Sequence, residues 1–138
     1  MKFILLAFFL AAAPVSRAQT ATEEGNKGIK QRSGQELKKT ADDLEKAVRQ
    51  HPEKAELHIQ LGFTYTKLAK IDEARRAFET AVKLDPKKAI AHYMLGLIYE
   101  KKGLKSEAIS AWKACLENAD EPYLRETALK HLHHLRTT

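Results

Sequence analysis

The feature that most restricts what this chain can fold into is a 34-residue pattern written twice, over the 68 residues from Ala55 to Pro122. His58-Ile59-Gln60-Leu61-Gly62-Phe63-Thr64-Tyr65 returns as His92-Tyr93-Met94-Leu95-Gly96-Leu97-Ile98-Tyr99, with His, Leu, Gly and Tyr at a constant offset. Further on, Ala74, Phe78 and Ala81 answer to Ala108, Trp112 and Cys115, so small, large and small residues recur in the same order. Self-similarity at such a period marks an array of one supersecondary unit, in which each copy buries a face that its neighbour would otherwise expose. Apolar spacing predicts two helices per copy, near 55–69 and 72–84 and again near 89–102 and 106–118. A glycine inside a helix costs about 1 kcal/mol against alanine. The return of Gly62 and Gly96 at one register therefore predicts close helix crossings, where a neighbouring backbone approaches and Tyr65 and Tyr99 fill the gap beside it. Asp72 and Ser106, equivalent under the shift, are the expected N-caps of the second helices. The Asp85-Pro86 step separates the pairs, because proline disfavours helix in the residue before it.

On these residues the chain resembles the tetratricopeptide repeat, whose pattern is W-x2-L-G-x2-Y, then A-x3-F, then P over the same period. His58 and His92 stand where that pattern has Trp, and Asp120 replaces the proline that Pro86 supplies, with Pro122 two residues later. The resemblance implies an all-α fold, a right-handed α-solenoid of antiparallel helix pairs with about six helices. It also implies a function, protein–protein interaction without catalysis, and a place for it on the concave surface lined by the first helix of each pair.

The flanks extend the array. Leu37, Ala41, Leu44 and Val48 are spaced four, three and four apart, and Leu44, Ala47 and Pro52 fall on Phe78, Ala81 and Pro86 under the 34 shift. Residues 35–54 thus read as the second helix of a partial repeat, ahead of full repeats 55–88 and 89–122. Residues 123–138 take the place of a further first helix, with Lys130 in the Gly slot, as expected of a polar cap that keeps the stack soluble. Upstream, residues 19–34 are polar, contain Gly25, Gly28 and Gly34, and read as a flexible leader. Residues 1–18 open with Lys2 and eleven residues, Phe3 to Ala13, without a polar side chain. That run falls short of the roughly 20 residues of a membrane-spanning helix. The Ser16-x-Ala18 spacing after it matches signal peptidase cleavage between Ala18 and Gln19. The expected address is secreted or periplasmic, the alternative being an uncleaved anchor that holds an assembly subunit at a membrane.

Lys and Arg outnumber Asp and Glu by 24 to 18, and loss of Lys2 and Arg17 with the signal segment leaves 22 to 18. This excess alternates with acids, as in Asp72-Glu73-Ala74-Arg75-Arg76, and builds no stripe for nucleic acid. Cys115 lies in a small-residue slot, where a thiol is inert. His131 and His134 share a helix face, yet nothing nearby completes the ligand set that zinc requires, so no metal is expected. No nucleophile motif, phosphate loop or carboxylate pair is present, so neither catalytic residues nor a cofactor are expected.

What remains is a binding surface. The face of each first helix that the His-Leu-Gly-Tyr slots leave free carries Ile59, Phe63 and Lys67 in one repeat and Tyr93, Leu97 and Lys101 in the next. Four of these six are apolar or aromatic, which suits a groove for the apolar anchors of a peptide or helix of another protein, with the two lysines able to meet an acidic group. Phe63 and Met94 stand where the carboxylate-clamp members of the resembling family have polar residues, so this groove is of another kind.

Overall fold

The computed structural model describes the backbone of residues 17–137 and the side chains of residues 30, 31 and 33–137. Among these residues there are six helices and no strand: α1 (Arg17–Gln50), α2 (Ala55–Lys67), α3 (Ile71–Leu84), α4 (Ala89–Lys101), α5 (Lys105–Asn118) and α6 (Pro122–Thr137). The chain divides after Ser33 into two compact units. In the first, residues 17–33 are one unbroken helical stretch. The flexible leader expected over 19–34 is therefore corrected to helix. No proline interrupts residues 15–51, and each residue added to an existing helix gains a backbone hydrogen bond, so the glycines raise its cost without ending it. Residues 1–16, which hold most of the expected signal segment, lie outside the described residues.

In the second unit, residues 34–138, α2 pairs with α3 and α4 with α5, and the antiparallel pairs stack as a right-handed α-solenoid. The repeat is held by one contact made twice. A Cβ placed on Gly62 would lie 2.7 Å from the Phe78 ring, and one on Gly96 would lie 2.5 Å from the Trp112 ring. The glycines thus admit an aromatic ring from the partner helix of their own pair, where the sequence suggested a neighbouring backbone. The tyrosines do something else as well. Tyr99 donates its hydroxyl hydrogen to Glu79 at 2.8 Å and Tyr65 donates to Glu45 at 2.5 Å, each reaching back 20 residues to the preceding helix. The C-terminal half of α1, which buries Ala41, therefore stands to α2 as α3 stands to α4. His58 and His92 place Nε2 at 2.9 and 2.7 Å from the carbonyl oxygens of Pro52 and Pro86. Imidazole in the Trp slot thus satisfies a carbonyl left over where proline ends the preceding segment.

Two cores flank α4, and that accounts for its nearly all-round apolar sequence. Ala91, Leu95 and Ile98 join Phe78, Ala74 and Ile59 on one side. Ala89 joins Trp112, Leu124, Ala128 and Leu132 on the other. Between α2 and α3, Ala69 has φ 58°, and between α4 and α5 Gly103 has φ 72° at the equivalent position. Asp72 and Ser106 are not N-caps: Lys70 and Leu104 precede α3 and α5 and make no side-chain cap bond. Asp72 instead reaches across from the first turn of α3 to Lys102 at 2.7 Å, a hydrogen bond that holds its carboxyl below the usual range. Cys115 is fully buried, which pushes its thiol pKa up and keeps it protonated.

The last helix is fixed by a carboxylate. Trp112 donates its indole hydrogen to Glu100 at 2.6 Å, while His131 of α6 places Nδ1 2.8 Å from the same oxygen and stacks on the indole at 4.3 Å and 18°. Leu124, Ala128, Leu132 and Leu135 bury the inner face of α6, and Leu129, in the Leu slot, is 55% exposed because no second helix covers it.

Two outcomes follow from this packing. Gly96→Ala is expected to lower the free energy of unfolding in urea by about 1–3 kcal/mol, since the ring it meets is enclosed. Gly34→Ala, where a Cβ meets nothing within 4 Å, should raise it by up to about 1 kcal/mol. Partial burial, reinforced by the bond to Glu79, pushes the Tyr99 phenol up to about 12 from 10.0. A raised folded-state pKa adds stability that is full below the unfolded value and is lost as pH climbs through the folded one. Stability should therefore fall between about pH 10 and 12, and Tyr99→Phe should flatten that fall in denaturation curves compared across the same range.

Candidate functional site

The groove residues sit on α2 and α4, whose N-terminal ends follow the proline-bearing breaks and whose C-terminal ends carry lysine. The structure sorts the six. Ile59 is only 9% exposed and packs in the core with Ala74 and Phe78, so it gives the groove shape and offers a partner almost no surface. That corrects its place among the contact residues. Phe63, Tyr93 and Leu97 are half-buried, and Lys67 and Lys101 are exposed at the C-terminal ends of their helices.

The two aromatic residues do the same thing from different places. Phe63 stands edge-on to Phe78 at 5.3 Å, and Tyr93 stands edge-on to Trp112 at 5.4 Å. Phe63 corresponds under the shift to Leu97, however, so in the second repeat the edge-on ring comes one helical turn earlier. Trp112 already carries His131 on its face. Each ring is anchored by an edge-to-face contact, and each keeps part of its surface open, the arrangement of a preformed apolar anchor site.

Lys67 and Lys101 form no ion pair among the described residues. Their freedom contrasts with the lysines at the repeat junctions: Lys88 is taken by Glu56 at 2.5 Å and Lys102 by Asp72. Sequence reasoning passed over Glu100, one residue before Lys101, and over the packing role of His131. Together with Lys130 and His134 they line an open pocket of about 390 Å³. The sign was available, since His131 lies one repeat period after Leu97 and so continues the line of groove residues onto α6. No group of three or more His, Cys, Asp or Glu among the described residues can hold a metal ion. No helix there is long and apolar enough to cross a membrane.

Residues 64–119 match the family profile described as Tetratricopeptide repeat, a stretch that opens inside α2 and closes just after α5. No curated protein matches the sequence. Among solved structures, MamA superposes with a TM-score of 0.58 at 29% identity, over 69% of this chain and 52% of its own, so the chain spans about half the length of that relative. The Yersinia enterocolitica type III secretion chaperone SycD, solved in complex with a peptide of the translocator YopD, superposes over 91% of this chain and 98% of its own, with a TM-score of 0.67 and 15% identity. The first TPR of Spaghetti (RPAP3), bound to the HSP90 peptide SRMEEVD, does so over 88% and 91%, with a TM-score of 0.65 and 21% identity. At 15% and 21% identity these two establish the fold alone. Matched profile, repeat register and fold agree that residues 64–119 of this chain are tetratricopeptide repeat.

Proposed function

We propose that this chain is an exported, non-enzymatic protein-interaction module that takes a peptide or a helix of another protein into the groove of α2 and α4. The observation that supports the reading is the presence of anchored, half-buried apolar side chains, Phe63, Tyr93 and Leu97, on the same two helices that end in the unpaired Lys67 and Lys101. Apolar anchors supply affinity, and Lys67 and Lys101 favour an acidic residue beyond them, which sets direction. SycD and the Spaghetti domain, which share the fold, were solved with peptides, and that supports the same use of this one. Export rests on the sequence of residues 1–18.

The lysines make the cleaner probes, because the Phe63 ring is part of the packing around Phe78 and its loss would disturb the fold. A photo-crosslinking residue at position 97, in a chain that keeps both lysines, should capture protein partners from the native host, and adding Lys67→Glu with Lys101→Glu to that chain should reduce the capture several-fold while the circular dichroism spectrum stays the same. Undiminished capture by the double variant would remove the groove from the reading. For export, the intact mass of the mature protein should lack the first 18 residues. A membrane-bound product that retains Phe3 to Ala13 would replace the exported module with an anchored assembly subunit.

A further inference from the structure

On the face of α4 opposite the groove residues the two repeats differ in the lining of one pocket. His92, Leu95 and Tyr99 alternate around α4 with Tyr93, Leu97 and Lys101, and at about 100° per residue the two sets point to opposite sides. With α5 the first set encloses an open pocket of about 460 Å³. The corresponding pocket of α2 and α3 holds only about 210 Å³. Five lining positions are the same in both repeats: His, Leu, Tyr, Glu and Ala recur at the 34-residue offset. Two are not, for Arg76 of the first pocket is replaced by Ser110 and Thr80 by Ala114.

In the first repeat an exposed arginine stands at the edge of the equivalent, smaller space. Arg76 lines the smaller pocket, and its charge and that of Glu73 both act on the Tyr65 hydroxyl. In the second repeat Glu107, the counterpart of Glu73, acts on the Tyr99 hydroxyl, but no cation follows it on α5 in the place of Arg76. Arg75 of α3, whose charge also reaches Tyr99, is held by Glu79 at 2.7 Å. Glu107 forms no ion pair among the described residues. Ser110 does not fill the space either, since its hydroxyl turns back onto the Ser106 carbonyl at 3.1 Å.

We infer that the pocket of α4 and α5 is a second binding site, on the side of α4 away from the groove, that takes an arginine side chain of a protein partner in the place that Arg76 occupies in the first repeat. The aliphatic stem lies on Leu95, Ala111 and Ala114, and the guanidinium meets Glu107 at the rim, an apolar floor with a charged edge that suits a side chain of this amphipathic kind. The site does not depend on the groove, and both can be occupied together.

The full chain tests this with N-acetyl-L-arginine amide as probe and N-acetyl-L-norleucine amide as its uncharged counterpart, read by amide chemical shifts. The arginine probe should shift residues 107, 110, 111 and 114 saturably, more weakly as salt rises. Ser110→Arg, which the first repeat shows this register to accept, should weaken that binding at least about tenfold by filling the pocket. Arg76→Ser should open a matching set of shifts on α3. Equal binding of the norleucine probe, or arginine shifts that persist in Ser110→Arg, would overturn the assignment. So would self-association without probe that Ser110→Arg abolishes, because the occupant would then be a second copy of this chain.

Discussion

Everything in the folded array depends on a ring laid against a helix that carries no side chain at that point. Phe78 on Gly62 and Trp112 on Gly96 bring the two helices of a pair together, and the space needed is so small that a single methyl group would collide. The cost of glycine in a helix is set against burial of a whole aromatic ring, and burial of a large side chain at about 1.5–3 kcal/mol exceeds that cost. Larger ring, tighter fit: Trp112 in the second pair leaves less room than Phe78 in the first, and it demands a partner for its indole hydrogen. Glu100 is that partner, and by also meeting His131 it joins the packing of α4 and α5 to the placement of α6.

Polar contacts between repeats are few and specific. The tyrosine–glutamate bond, made from α2 to α1 and from α4 to α3, copies the period of the sequence. It ends at α6, where His133 and Lys113 occupy the tyrosine and glutamate positions. Loss of that pair, and of the glycine, releases α6 from the geometry of an internal helix. It can then bury a single face against α5 and leave Leu129 in solvent.

Because the frame is shared, difference between the repeats is where function can be written. On one side of α4 the edge-on ring moves by a turn between repeats, so Phe63, Tyr93 and Leu97 give an uneven apolar surface rather than a repeating one. On the other side the exchanges of Arg76 for Ser110 and of Thr80 for Ala114 accompany a pocket of about 460 Å³ in place of one of about 210 Å³. Both repeats keep the glycine–ring contact, although the edge-on aromatic residue packs on that same ring from a different position in each.

How much of this could be read beforehand follows from the range of the forces. The sequence by itself determined the helices of the two repeats to within a few residues, their pairing and the repeat to which they belong. Periodicity is a local property, and each repeat buries the same slots. It also indicated Cys115 as a small buried residue. It did not reveal that Ile59 is core, since position on a helix face cannot tell how far a neighbouring helix overhangs it. The glycine-rich stretch before residue 35 was misread for a related reason, because glycine count measures the cost of a helix and not the cooperativity that extends one. Only the tertiary structure decided that the histidines in the Trp slots bond to proline carbonyls, that Asp72 serves Lys102 and not a helix end, and that Glu100 unites Trp112 with His131. Each of these joins atoms from separate elements, and a distance of that kind exists only once the helices have packed.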